Sequence, residues 1–313
     1  MMRDTVHERV TDARVTDAGA THPRFVAALC AVGVAVIGCA RTAPTPIVRA
    51  PTAAPTAAAA LPAAPERYTV PMLVPDMRYR VESVAEIERD SAGRKESQRL
   101  TSSARVTVRL RRAPNGAFEG SGRVDAYLLR TDGVPAPVLA DSVRFDAMLD
   151  AQSLRITLHP AVVNACDRPE AGPLAIAREL LLRVPASVAI GDTWRDSTTH
   201  VVCRALVPLT VRTVSTYTVA DVSRDARGSM VQVHRASVMR VDGRLASPWR
   251  SVDIGGSGTA TLDATVSTAS GAVQHVTSSS VLLLTVTDRS SPAAVRTQQV
   301  TQRVATTANA VEN

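Results

Sequence analysis

The chain has 313 residues, 45% hydrophobic but only 3% aromatic, with 36 Lys and Arg against 29 Asp and Glu for a net charge of +7. Basic and acidic residues are interleaved and few rings are available for base stacking, so no nucleic-acid partner is expected. Lys95 is the only lysine, which excludes a Gly-x-x-x-x-Gly-Lys phosphate loop and most Ser-Lys hydrolase arrangements.

Residues 1–24 balance Arg3, Arg9, Arg14 and Arg24 against Asp4, Glu8, Asp12 and Asp17. An uninterrupted apolar run follows from Phe25 to Gly38. As a helix rising about 1.5 Å per residue it would span roughly 21 Å, short of the roughly 30 Å hydrocarbon core of a bilayer, and so it reads as a signal segment over 1–38. The run closes on Val36-Ile37-Gly38-Cys39, which resembles a bacterial lipobox. The resemblance implies cleavage between Gly38 and Cys39 and acylation of Cys39 by chains of the palmitate kind, giving a lipoprotein of the cell envelope held to a membrane by N-terminal lipid. Ala40, where an aspartate would favour inner-membrane retention, implies sorting to an outer membrane, facing the periplasm or the cell surface. The alternative is a plain secretory signal in which Cys39 is incidental.

From Cys39 to Arg67 the composition turns to Ala, Pro and Thr, with Pro44, Pro46, Pro51, Pro55, Pro62 and Pro65 too close together for a helix or central strand. A disordered, semi-rigid tether is expected there.

Residues 68–307 read as a single antiparallel β domain, with 308–313 a disordered tail. Met77, Tyr79, Val81, Ser83, Ala85 and Ile87 alternate with Arg78, Arg80, Glu82, Glu86 and Glu88, the period of a half-buried strand. Asp90-Ser-Ala-Gly93 turns the chain into Leu100–Leu110, and Pro114-Asn115-Gly116 turns it again. Strands follow near 117–130, 137–147, 153–159, 193–204, 207–222, 229–241, 257–267, 272–287 and 294–305. After Gly172, Pro173 suits the first helical position, with Leu174, Ala177 and Leu181 on one face, until Val184-Pro185 stops the run. A short helix and an apolar strand over 180–184 both fit that stretch. Gly255-Gly-Ser-Gly258 reads as a flexible loop. Val84–Gly93 echoes Val219–Gly228, which duplication or convergent hairpin chemistry would produce.

Cys30 lies in the signal and Cys39 is committed to lipid, leaving Cys166 and Cys203 to form a disulfide in an oxidising compartment. On the chain-entropy model, closing that loop would stabilise the fold by about 4 kcal/mol. His200 and Cys203 are three apart, so on a regular strand they face opposite ways and do not chelate one ion.

His159, His200, His234 and His275 show no metal spacing and read as surface strand residues, and no metal or cofactor is expected. Ser257 lacks the strand-to-helix context of a nucleophile elbow, and acid–base chemistry would need Asp141, Asp146 and Asp196 to meet through folding. An enzyme is not expected.

So many short-linked strands with at most one or two short helices predict a mainly β body, a curved antiparallel meander of half-barrel or barrel-like form, because a flat sheet that large would expose edges and an apolar face. Lipobox, tether and strand-rich body together resemble β-rich envelope lipoproteins, and more distantly the LolA/LolB-like carriers, in which a curved sheet wraps a lipid-sized cavity. The expectation is a non-enzymatic binding or scaffolding domain, with another envelope protein as partner, or a carrier of a lipid or other hydrophobic ligand. In the carrier reading Trp194 and Trp249 stand at the cavity rim, and otherwise they pack in the core.

Overall fold

The computed structural model describes residues 64–136, 142–150, 153–159, 171–204, 206–225, 228–247, 249–291 and 294–311. Strands β1 (Tyr68–Thr69), β2 (Leu73–Ser91), β3 (Arg94–Arg112), β4 (Phe118–Thr131), β5 (Val134–Ala136), β6 (Val143–Leu149) and β7 (Leu154–His159) come first. After them come helix α1 (Ala171–Arg178) and β8 (Ser187–Val188), then β9 (Thr193–Arg204), β10 (Val207–Asp225), β11 (Gly228–Ser247), β12 (Arg250–Ser267), β13 (Val273–Ser291) and β14 (Ala294–Val311).

Twelve strands form one sheet in the order β7-β6-β4-β3-β2-β14-β13-β12-β11-β10-β9, with β5 added beside β4. Every pairing in it is antiparallel. The edge strands β7 and β9 approach each other across a single seam, so the sheet is curved and nearly closed into a barrel. Closure follows from the pattern: β6 reads buried and exposed in strict alternation, and a sheet with one apolar face this broad hides it best by curling on itself. The mainly β, barrel-like reading of the sequence is met.

Local chemistry sets the hairpins. Ala92 and Gly93 have φ of 52° and 86°, and Asp132 and Gly133 have 49° and 83°, the paired left-handed conformations of the turn whose twist matches two flanking strands. The Asp90 carboxylate accepts the Gly93 N–H at 3.0 Å, fixing the first of them. Pro75, inside β2, falls where the β2–β3 register shifts between Val74 and Met77, the bulge that lets a strand carry a residue without an N–H.

Four expectations need correction. Strand β14 continues to Val311 and pairs with β2 down to Val311↔Arg78, so 308–311 are sheet and not tail: an unpaired β2 edge would leave its backbone groups without partners. At the other end, Glu66 and Arg67 are already tied to the body, through Arg224 and through Ser187 and Asp192. Gly255–Gly258 is not a loop but the middle of β12, where a Cβ on Gly256 would lie 2.1 Å from the Leu283 carbonyl oxygen. The apolar stretch after α1 is neither helix nor strand: Leu180, Leu181, Leu182 and Val184 are buried irregular chain. Of the strand expected over 137–147, β6 supplies 143–147, and 137–141 lie outside the described residues.

That irregular chain and the small β1–β8 sheet cap one end of the barrel, which we call the lower end. Arg183 donates to the carbonyls of Asn115 and Arg195 at 2.9 and 2.7 Å, and Arg112 donates to the Gly271 carbonyl at 2.9 Å. Two apolar clusters result: a large one at the capped end, including Val81, Val219, Val233, Leu182 and Phe145, and a smaller one toward the other end, built on Ile87, Leu209, Val241, Ile254, Leu284 and Val300.

The echo between 84–93 and 219–228 does not mark equivalent positions. β2 and β10 run in opposite directions, so their hairpins lie at opposite ends of the barrel. Val219 is buried, whereas Val84 is on the side of β2 opposite the buried Val81. The glycines differ as well, Gly93 standing in the turn and Gly228 pairing with Asp225 at the start of β11.

Candidate functional site

The two apolar clusters do not meet. Between them lies a cavity of about 390 Å³, with walls from β2, β3, β4 and β6 round to β14 and from the end of α1. Its cause is side-chain size. One row of inward positions runs Asp196, Ser215, Ser237, Ala260, Ser280 and Val304 from strand to strand. Along β10 the inward series passes from Leu209 and Val211 through Thr213 and Ser215 before Tyr217 and Val219 fill the space again. Neighbouring strands dip at the same level, so their missing volumes add up to one space. Ser215 and Ser237 satisfy each other at 2.9 Å, and Thr306 donates to Ser83 at 3.0 Å, so the small polar wall carries its hydroxyls at little cost.

The wall has two characters. Leu100, Leu129, Val211, Met239, Leu282 and Val304 make it apolar over one region. Arg178 and Glu179 from the end of α1, with Asp196, His200, Tyr217 and Arg235 from β9–β11, make it polar over another. Arg235 Nη2 donates to Glu179 Oε2 at 2.9 Å, with the two side chains 13% and 26% exposed. Burial opposes the Arg235 charge, but Glu179 and Tyr217 outweigh it and hold the guanidinium above its ordinary range. Burial pushes the Asp196 carboxyl up, against a hydrogen bond from Tyr217 and the charges of Arg235 and Arg183. Burial also brings Arg178 down to about 10, with Glu179 acting against it. For His200, burial and then the charge of Arg178 lower the pKa to about 3, so the imidazole is neutral.

Several polar atoms around this wall are buried with no partner: Asp196 Oδ1, His200 Nδ1, Arg235 Nε and Trp194 Nε1. These open donors and acceptors lie beside the void, within reach of whatever polar group or water enters it.

The sequence-predicted residues fall as follows. Trp194 stacks on Tyr217 with ring centroids 5.3 Å apart and planes within 2°, placing it beside the cavity behind a lining residue. Trp249 does not line the cavity: it projects from the β11–β12 hairpin, 74% exposed, because that hairpin extends past the start of β10. Cys203 is half-buried on β9, while Gly38, Cys39 and Cys166 lie outside the described residues. Asp146 and Asp196 do not converge, since Asp146 is exposed and bonded to His159 at 2.6 Å while Asp196 faces inward; Asp141 lies outside the described residues. His159, His234 and His275 are hydrogen-bonded on the exposed face, but His200, expected at the surface with them, points into the cavity. Among the described residues no group of three or more His, Cys, Asp or Glu is placed to hold a metal ion.

Sequence reasoning missed Arg178, Glu179, Asp196, Tyr217 and Arg235 as a group. The available signal was Arg235 on β11 at an inward position two residues from Val233 and Ser237 in a series that begins with Val231 and ends with Val241, where a charge needs a reason.

Compared with known proteins, the chain matches no family model and is not similar to any curated protein.

Proposed function

We propose that this is a lipid-anchored envelope protein whose barrel binds a small hydrophobic or amphipathic ligand in its interior, as a carrier or binder and not as an enzyme. The observation that carries the reading is the 390 Å³ space between two packed apolar clusters, walled by leucine, valine and methionine on one side and by charged and open hydrogen-bonding groups on the other. A core built only for stability fills to native density, because an empty space forfeits dispersion contacts. The size falls within the roughly 300–1,000 Å³ typical of small-ligand sites.

The address is part of the proposal: export through the 1–38 leader, acylation at Cys39 and a tether to the body. So is the disulfide between Cys166 and Cys203, the two cysteines left in the exported body once Cys30 and Cys39 are assigned to leader and lipid. Peptide mass mapping under non-reducing conditions checks the pairing, and recovery of Cys166 as a free thiol would remove it.

Native mass spectrometry of the protein extracted gently from its own membranes tests the binding reading. A non-covalent adduct that organic solvent releases is expected. A bare mass, together with no uptake of a hydrophobic probe such as 1-anilinonaphthalene-8-sulfonate by the folded protein, would leave a scaffold as the better reading.

A further inference from the structure

The cavity carries more than a size, because its charged side chains are not all tied to one another. Glu179 is committed to Arg235 at 2.9 Å. Asp196 lies where the charges of Arg235 and Arg183 act on it. Arg178 is different: among the described residues it has no ion-pair or hydrogen-bond partner, yet it stands on the cavity wall. Burial lowers the Arg178 pKa, and the charge of Glu179, its neighbour in the chain, offsets only part of that, so the guanidinium faces the void with no hydrogen-bonding partner of its own among the described residues. Close enough to feel its charge is His200, on the same wall, with Nδ1 buried and unpartnered.

We propose that the cavity takes a single-chain anionic amphiphile, with a carboxylate or phosphate-monoester head held by Arg178 and His200 and its chain along Val211, Met239, Leu282 and Val304. This rests on the ligand-cavity reading above and names the class of ligand. The guanidinium fork matches two oxygens of either head, and a neutral imidazole with its proton on Nδ1 donates to a further one. Val211 on β10 is the strand partner of His200, and Met239, Leu282 and Val304 follow on β11, β13 and β14, so a chain leaving the head would start beside His200 and run round that wall. At the small end of ligand-site volumes, the space suits one chain and not two.

The test uses the full chain, delipidated and folded, titrated with hexadecanoate, hexadecyl phosphate, hexadecanol and hexadecylamine under native mass spectrometry. One or both anions should bind at least tenfold more tightly than hexadecanol, and which of them binds better separates a fatty acid from a phosphate monoester. Arg178→Met should weaken the preferred anion at least tenfold and leave hexadecanol unchanged, while Arg178→Lys restores part of the loss. Should Arg178→Met fail to fold, the discrimination among the four chains in the parent protein still decides. Equal binding of anion and alcohol, or preference for the amine, overturns the anionic head but leaves the cavity reading standing. No binding of any of the four overturns both.

Discussion

Glu179, the residue that follows α1, accepts a hydrogen bond from Arg235 Nη2 on β11 at 2.9 Å, while α1 itself packs on β3 and β4. The pair therefore ties opposite walls of the barrel together across its interior. Arg235→Met would leave a part-buried carboxylate without its partner, and a loss of about 1–3 kcal/mol is expected. The double variant Glu179→Met with Arg235→Met should recover part of it, since neither member of the pair is then left without the other. Urea unfolding of the parent, Glu179→Met, Arg235→Met and the double variant measures the coupling, and additive losses would contradict it.

Ala260 belongs to the row of small inward residues that makes the cavity. Ala260→Leu should fill the space and abolish the native adduct, with stability within about 1 kcal/mol of the parent because the added methylenes meet void and not packed atoms. Thr259→Leu, one residue along on the outer face, is the control and should leave the adduct intact. Undiminished adduct in Ala260→Leu would place the ligand elsewhere.

Gly122 on β4 lies under the ring of its strand partner Phe145, which is 1% exposed. A Cβ there would come within 2.3 Å of Phe145 Cζ and 2.8 Å of the Thr107 carbonyl oxygen. Gly122→Ala is expected to cost about 1–3 kcal/mol through displacement of the ring. Thermal unfolding checks this, with a midpoint lowered by roughly 2–4 °C per kcal/mol for a body of this size. An unchanged midpoint would mean that the ring moves freely.

His200 predicts an acid sensitivity. Its folded pKa, near 3, lies below the usual 6.5, so between these values the unfolded chain binds the extra proton. Stability from this group is therefore complete above pH 6.5 and is lost as pH falls toward 3, by at most about 2 kcal/mol at pH 5. Asp196, with its carboxyl pushed up, works the other way at low pH, so the comparison must isolate the histidine. His200→Gln should show a smaller loss in urea midpoint between pH 7 and 5 than the parent, and equal losses would exclude the histidine as the cause.

Cys39 is expected to carry the anchor. A Cys39→Ser protein should keep its leader uncut, and intact-mass measurement should find neither cleavage before residue 39 nor added acyl chains. Acylation elsewhere in that variant would move the anchor from Cys39.

Strand identity and facing were legible in the sequence because they are local. An inward valine on β10 is recognisable from its neighbours two residues away, and Asp-Gly or Ala-Gly turns declare themselves by the backbone they require. The apolar run over 25–38 and the Ala, Pro and Thr composition of 39–67 are equally local properties, read over a few dozen residues. The barrel-like form also followed, since so much one-sided sheet has few ways to hide its apolar face.

What the tertiary structure alone decided is register between distant strands. Ser215, Ser237, Ala260 and Ser280 are each unremarkable inward residues, and they make a cavity only because strand pairing puts them in one row. The same holds for Glu179 and Arg235, 56 positions apart, for the β14–β2 pairing that turned an expected tail into sheet, and for Gly255–Gly258, whose composition suggests a loop but whose missing side chains admit a neighbouring carbonyl. Side-chain period says which way a residue points along its own strand. It carries no information about what stands beside it on the next, and the cavity and its charges are made of those neighbours.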